Sequence, residues 1–200
     1  TDLQGLEKFQ KITTVSLSSV PNLTSLEGLS TMTGITSVTI NGAAQLSSLE
    51  GLSNLNSLVT VDLNNIAKVT GIDPVLNKSS LQKLIFTNSG VEGEIDLSNL
   101  PALKEAAGFK SKITGLKFGA NNDKLYLIRM ADIPTLTKVE GVENLTCQED
   151  NGVDLRLNNT GITSLEVTGG YFEQIQMTGA GSLTNVSIGD GVSAVKTLNL

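Results

Sequence analysis

The chain of 200 residues contains no histidine and no tryptophan, and it has a single cysteine and two tyrosines. Without histidine, Ser-His-Asp triads, Cys-His pairs and all metal sites with imidazole ligands are excluded. One cysteine excludes an internal disulfide, so packing and hydrogen bonds must hold the fold together. Cys147 has no histidine or basic neighbour to favour its thiolate, and we expect it to be a buried small residue.

Charged residues are also few. They make up 17% of the chain, against about 25% in average domains, and the net charge is −6. This acidic balance argues against a phosphate-backbone partner, so we expect no nucleic acid, and it disfavours anionic membranes. No segment approaches the run of about 20 apolar residues that spans a bilayer, so we expect membrane attachment only through an anchor outside this chain. With 39% apolar residues, the chain can still bury a core.

An internal repeat is the strongest pattern that the sequence does contain. LTSLEGLS at residues 23–30 returns as LSSLEGLS at residues 46–53, a displacement of 23 residues. Each repeat carries an apolar triplet at spacing i, i+3, i+5, such as Ile12, Val15 and Leu17. The triplets end at residues 17, 40, 63, 86, 108, 130, 157, 177 and 200, with successive steps of 23, 23, 23, 22, 22, 27, 20 and 23 residues. The sequence therefore predicts about nine coils of 20–27 residues.

The two sides of each coil differ in pattern. The last two members of a triplet alternate as on a β-strand, which predicts one strand per coil. Between the early triplets the LxxLxGL segments favour turns or 3₁₀ helix. After residue 86 the return side becomes strand-like, and the clearest examples are Ile95 with Leu97, Leu116 with Phe118, and Leu165 with Val167. We therefore expect sheets on both faces of the second half.

This pattern, LxxLxL followed by LxxLxxL, resembles the leucine-rich-repeat superfamily over essentially the whole chain. The 23-residue step and the Ser/Thr-rich faces resemble bacterial cell-surface, internalin-like members. The resemblance implies a mainly β, right-handed solenoid with a parallel sheet on one face, used for binding proteins or glycans. The family's asparagine at the third position after LxL is replaced by Val20, Ala43 and Ile66, so its regular asparagine ladder is not predicted here.

Side chains between the triplet positions must point away from the core and form the exposed sheet face. Both ends of this face read as serine, threonine, glutamine and asparagine, whereas the middle gathers charges of both signs beside apolar and aromatic residues. Because interface anchors favour aromatic residues and arginine, we interpret the middle as a protein-contact patch. Its predicted members are Asp62, Lys83, Ile85, Glu105, Tyr126, Leu127, Arg129, Asp154 and Arg156. The alternative is that these are ordinary solvated strand residues, paired across the sheet.

The longest coil has extra residues that collect acidic side chains, namely Glu143, Glu149, Asp150 and Asp154. Such oxygens are calcium ligands, but the segment lacks the spaced acidic ladder of a calcium loop, so a plain acidic loop is favoured. Paired carboxylates for glycoside hydrolysis have no fixed spacing here. We expect no enzyme, metal or cofactor.

The sequence thus predicts one solenoid domain over residues 1–200 that acts as a non-catalytic, extracellular binding module at a cell surface. The expected partner is a protein, such as a host surface or matrix protein. Two alternatives stay open: a ligand-free spacer, favoured by the bland ends, and a glycan-binding module, for which the chain offers only two tyrosines. Neither end encodes a polar cap, so we expect a piece of a longer exported protein or end-to-end association.

Overall fold

A computed structural model describes residues 2–9 and 11–200 of the chain. Strands are numbered in chain order, and nine of them form one sheet in which every neighbouring pair is parallel. In spatial order they are β1 (Thr14–Ser18), β2 (Ser37–Asn41), β3 (Thr60–Ile66), β4 (Lys83–Ser89), β6 (Glu105–Ala107), β8 (Leu127–Arg129), β10 (Val153–Arg156), β12 (Gly170–Gln176) and β14 (Val192–Asn199). This main sheet confirms the predicted solenoid with one strand per coil.

The return side changes character along the chain, as predicted. In the early coils it is a stack of single 3₁₀ turns: η1 (Leu6–Lys8), η2 (Glu27–Leu29), η3 (Glu50–Leu52) and η4 (Asp73–Val75). Later coils build a second parallel sheet from β5 (Glu92–Asp96), β7 (Lys112–Lys117) and β9 (Lys138–Glu140), and a third from β11 (Ser164–Val167) and β13 (Asn185–Ile188). Two further 3₁₀ turns, η5 (Val142–Asn144) and η6 (Glu149–Asn151), lie in the longest coil. The sequence pattern missed β9, because its Lys-Val-Glu segment offers one apolar residue only.

The glycine of the LxGL segment is required by close stacking of the 3₁₀ turns. A Cβ added to Gly51 would collide with the carbonyl oxygen of Leu26 in the preceding coil. Leu49 and Leu52, on either side of this glycine, are fully buried. The segment therefore combines a core-facing leucine pair with a position that has no room for a side chain.

Each of the first eight coils turns at the end of its strand in the main sheet through a residue in the left-handed region of φ, two positions after the triplet end. These corner residues are Ser19, Gly42, Asn65, Asn88, Lys110, Asp132, Asn159 and Gly179. Asparagine side chains at this edge bond to one another: the Asn88 amide donates to Asn65 at 2.6 Å, and the Asn65 amide donates to Asn41, the residue before Gly42, at 2.8 Å. A short asparagine ladder is thus present, one or two residues before the position where the family pattern would have it.

The triplet residues fill one continuous core, with two departures from the predicted pattern. In β10 the triplet is incomplete because the register slips between Val153 and Asp154, and Val153 takes the buried place. At the last triplet the core assignment is wrong: Leu198 and Leu200 are 42% and 61% exposed. They belong to the outermost described coil, and no other described coil covers their outer side. Cys147 is buried as expected, and burial raises the pKa of its thiol.

Candidate functional site

The parallel register aligns the predicted outward residues into two columns across the main sheet. One column runs from Asp62 through Ile85, Ala107 and Arg129 to Arg156. The second contains Lys83, Glu105, Leu127 and Asp154. Tyr126 immediately precedes β8 and is half-buried, as are all the other members of the predicted patch. The nine residues named from the sequence therefore lie together on one face.

The first group of polar contacts surrounds Glu105. Lys83 Nζ lies 3.1 Å from Glu105 Oε2, and the Tyr126 hydroxyl donates a hydrogen bond of 3.1 Å to Oε1. Burial, together with this bond to a carboxylate, raises the pKa of the Tyr126 phenol. Both oxygens of Glu105 are thus engaged by neighbours within the sheet face.

The second group surrounds Asp154. Arg156 donates from Nε to Oδ1 at 2.9 Å and from one terminal nitrogen to Oδ2 at 2.7 Å, while the Gln174 amide donates to Oδ1 at 2.8 Å. The hydrogen bond to this carboxylate raises the pKa of Arg156. Arg129 lies farther away, with a terminal nitrogen 4.0 Å from Asp154 Oδ2. The carboxylate is therefore committed mainly to Arg156.

Arg129 is the positively charged residue of this face that is most weakly paired. The Arg129 side chain is 40% exposed, yet its Nε is buried. Among the described residues, this Nε is the one buried side-chain nitrogen or oxygen that has no hydrogen-bond partner. Its contact with Asp154 is weak, because the 4.0 Å between nitrogen and oxygen is the longest separation that still counts as an ion pair. A guanidinium carries five N–H donors, so this one retains donors for a ligand. The sequence marked Arg129 as a candidate, but only the packing reveals that it lacks a strong partner.

A shallow cavity of about 290 Å³ opens in the middle of the patch. It forms because β6 contributes the small outward side chain of Ala107 between the larger Ile85 and Arg129. Lys83, Glu105, Leu127 and Asp62 also line it. Five further lining residues were not among the predicted members of the patch: Asn64, Thr87, Ala106, Ala107 and Phe109. Ala107 belongs to the predicted outward column, but a small side chain gave no reason to include it. Tyr126, Asp154 and Arg156 do not line the cavity.

A second charged surface, unanticipated from the sequence, covers the return sheet of β5, β7 and β9. Lys117 pairs with Asp96 at 2.8 Å, and Lys138 pairs with Glu140 at 2.8 Å and with Glu94 at 3.5 Å. Although burial by itself raises the pKa of Asp96, hydrogen bonds from Lys117 and Ser98 lower it to about 2. These charges compensate one another across neighbouring strands, and we interpret the ladder as structural.

The acidic residues of the longest coil separate in space. Glu149 and Asp150 are exposed in η6, whereas Asp154 lies on the sheet face and bonds to Arg156. Over residues 2–9 and 11–200, no group of three or more acidic or cysteine side chains is arranged to hold a metal ion. Over the same ranges, no helix is both long and apolar enough to cross a membrane.

No protein-family model and no curated protein matches the chain. Among solved structures, a crystal structure of an internalin (inlF) from Listeria monocytogenes is similar at 18% sequence identity and a TM-score of 0.45. The match covers 97% of this chain and 68% of that chain. At this identity the likeness concerns the fold alone and says nothing of a partner. The strand pairing of the chain itself establishes a parallel β-solenoid, consistent with the leucine-rich-repeat, internalin-like fold expected from the repeat.

Proposed function

We propose that this chain is a non-catalytic binding module that recognises a protein partner through the middle of its main sheet. The observation that carries the proposal is the cavity around Ala107, where apolar side chains and a poorly paired arginine share one surface. Apolar contact area ringed by polar groups, with an arginine at the centre, is the composition of protein-interface hot spots.

The two halves of the site have different roles in this proposal. Ile85, Leu127 and Phe109 supply apolar area around the cavity. The pairs of Lys83 with Glu105 and of Arg156 with Asp154 hold long side chains in place before a partner arrives. Side chains that are ordered in advance lose less entropy on binding, which favours affinity.

A ligand-free spacer is the second candidate, and a specific observation favours it. The outward residues of β1 and β2 are uncharged serine and threonine, with Asn41 at the end of β2. This part of the face presents nothing that would anchor a partner. A glycan-binding module has less support, because Tyr126 is half-buried and its hydroxyl already donates to Glu105. The proposed location is extracellular, at a cell surface, as one domain of an exported protein.

Two matched double variants test the proposal. The central variant combines Leu127→Ala with Arg129→Glu on β8, and the control combines Ser37→Ala with Thr39→Glu on β2. Leu127 and Ser37 occupy the same outward column, and Arg129 and Thr39 occupy the other. Both variants keep all core residues, so circular dichroism and urea unfolding should report the native fold.

The measurement is capture of proteins from extracellular-matrix and cell-surface extracts by the three immobilised chains, followed by titration with each purified candidate. We expect a protein that binds the wild-type chain and the control alike and loses at least about tenfold in affinity for the central variant. Binding that the two variants weaken equally would contradict a central site. The absence of any specific protein would favour the spacer.

A further inference from the structure

We infer that the cavity around Ala107 receives an acidic side chain of the partner, whose carboxylate pairs with Arg129. The inference rests on the proposed function and deepens it by naming the chemistry that the partner presents. Its basis is the combination of a small floor residue, apolar walls and one weakly paired cation at the same place on the sheet.

Arg129 is the cation at the cavity that the sheet leaves poorly paired. Glu105 is neutralised by Lys83, and its second oxygen accepts the Tyr126 hydroxyl. Asp154 is engaged by two hydrogen bonds from Arg156 and by one from Gln174. Arg129 is left with a buried Nε that has no partner and a carboxylate that comes no closer than 4.0 Å. A carboxylate entering the cavity would give this guanidinium the charge-assisted hydrogen bonds that the sheet does not supply.

The shape of the site limits how the carboxylate arrives. Ile85 and Arg129 flank Ala107 on the two neighbouring strands, and Phe109 lies in the turn that follows β6, beyond Gly108. A ligand must therefore place methylene or apolar groups over Ala107 before its polar end meets Arg129. Glutamate, or aspartate beside an apolar residue, fits this arrangement. A free inorganic anion would leave the apolar walls uncovered.

Asp62 is the competing feature, since it lies on the far side of Ile85 in the same column. Its carboxylate accepts a hydrogen bond from the Asn64 amide and has no cation within ion-pair distance among the described residues. Asp62 would attract a basic side chain, but it lines the cavity from β3, two strands away from Ala107. Preference for a basic ligand is therefore the outcome that would contradict the inference.

Random linear peptides displayed on phage are the probe for this test. The library is selected on the wild-type chain and then screened on Ala107→Leu, which fills the cavity, and on Thr39→Glu, which adds an acidic side chain in the same column outside the patch. We expect enriched peptides that carry aspartate or glutamate next to an apolar residue. Ala107→Leu should abolish their binding and Thr39→Glu should leave it unchanged.

Fluorescence anisotropy with the best peptide then isolates Arg129. We expect Arg129→Glu to weaken binding by at least about tenfold, and the same peptide with its acidic residue changed to the amide to lose a similar factor on the wild-type chain. A peptide in which that acidic residue is replaced by lysine should regain affinity for Arg129→Glu. The two charges would then be shown to meet directly.

The outcomes separate this inference from the proposed function. Peptides that Ala107→Leu abolishes but that are neutral or basic, or that tolerate Arg129→Glu, would overturn the acidic ligand and leave the binding face standing. Peptides that bind Ala107→Leu as well as wild type, or no enriched peptides at all, would contradict both the cavity as a site and the proposed function.

Discussion

Asp154 and Arg156 form a bidentate ion pair along a single strand, with nitrogen to oxygen distances of 2.9 and 2.7 Å. Residues two apart on a strand project from the same face, so the guanidinium reaches its partner without crossing to a neighbouring strand. The side chain of Asp154 is only 16% exposed, and its pairing with Arg156 leaves Arg129 available. This pair therefore links the stability of β10 to the ligand binding that we propose for Arg129 on β8.

Replacing Asp154 by asparagine should lower the free energy of unfolding by about 1–2 kcal/mol, because the negative charge is lost together with the oxygen that accepts from the terminal nitrogen of Arg156. The measurement is urea unfolding followed by circular dichroism. In a double-mutant cycle with Arg156→Met, the coupling energy should exceed about 0.5 kcal/mol. Loss of less than about 0.3 kcal/mol for Asp154→Asn would show that solvent already screens the pair.

Gly108 is a core position whose space is filled by its neighbours. A Cβ added there would lie 2.7 Å from Cζ of Phe86 and 2.9 Å from Sδ of Met130. Gly108→Ala should therefore destabilise the chain by about 1–3 kcal/mol through overpacking. Because the clash is with the Phe86 ring, the cost of Gly108→Ala should shrink in a Phe86→Leu background. If Gly108→Ala lowers the free energy of unfolding equally in the wild-type and Phe86→Leu chains, the destabilisation comes from the backbone and not from the Phe86 ring.

Lys110 holds a corner at φ 52°, where most residues with a Cβ are strained. Asparagine tolerates this conformation, and it occupies the equivalent corners at Asn65, Asn88 and Asn159. Lys110→Asn should raise the free energy of unfolding by about 0.5–1 kcal/mol, measured in urea. Lys124→Asn, which removes an exposed lysine from an ordinary turn, is the matched control and should gain nothing. A similar gain in both variants would trace the effect to charge rather than to the corner.

Asp96 should make the solenoid sensitive to acid. Its folded-state pKa of about 2 lies below the value of about 3.9 for an unfolded chain, so the carboxylate stabilises the fold above about pH 4. That contribution is lost as the pH falls toward 2. The difference in unfolding free energy between wild type and Asp96→Asn should accordingly shrink across this window in a urea titration series. Lys117→Met removes the main hydrogen-bond donor to Asp96 and should flatten the pH dependence. If Asp96→Asn has the same pH-dependent effect on the unfolding free energy in the Lys117→Met background as in wild type, Lys117 is not the cause of the low pKa of Asp96.

Much of the fold follows from the sequence because a spacing of apolar residues that is uninformative once becomes informative when it recurs in every repeat. Ile12, Val15 and Leu17 alone would not identify a strand, but the same spacing at a near-constant step does. The repeat also fixes which side chains share an outward column, since parallel strands in register align equivalent positions. For that reason the nine residues of the predicted patch do lie on one face.

The burial of certain polar residues could not be predicted from the repeat. Lys78 is 2% exposed and Asn122 is fully buried, and nothing in the pattern singled them out. Lys78 donates to the Ser53 carbonyl and to Asn56, and burial lowers its pKa, while the Asn122 amide donates to the Leu97 carbonyl at 3.0 Å. Such residues are tolerated because backbone groups of neighbouring coils satisfy them, which depends on where the coils pass one another.

The amino-acid sequence alone determined the number of coils, one strand per coil and the face on which charges and apolar residues gather, because these depend on spacing along the chain; the parallel solenoid was what the resemblance of that spacing to leucine-rich repeats implied. Only the tertiary structure decided which charges neutralise one another, that Ala107 opens a cavity and that Arg129 is left short of a partner. Ion pairing and cavity shape are set by side-chain conformations and distances of a few ångströms between strands more than 20 residues apart. The spacing of residues along the chain does not determine those distances.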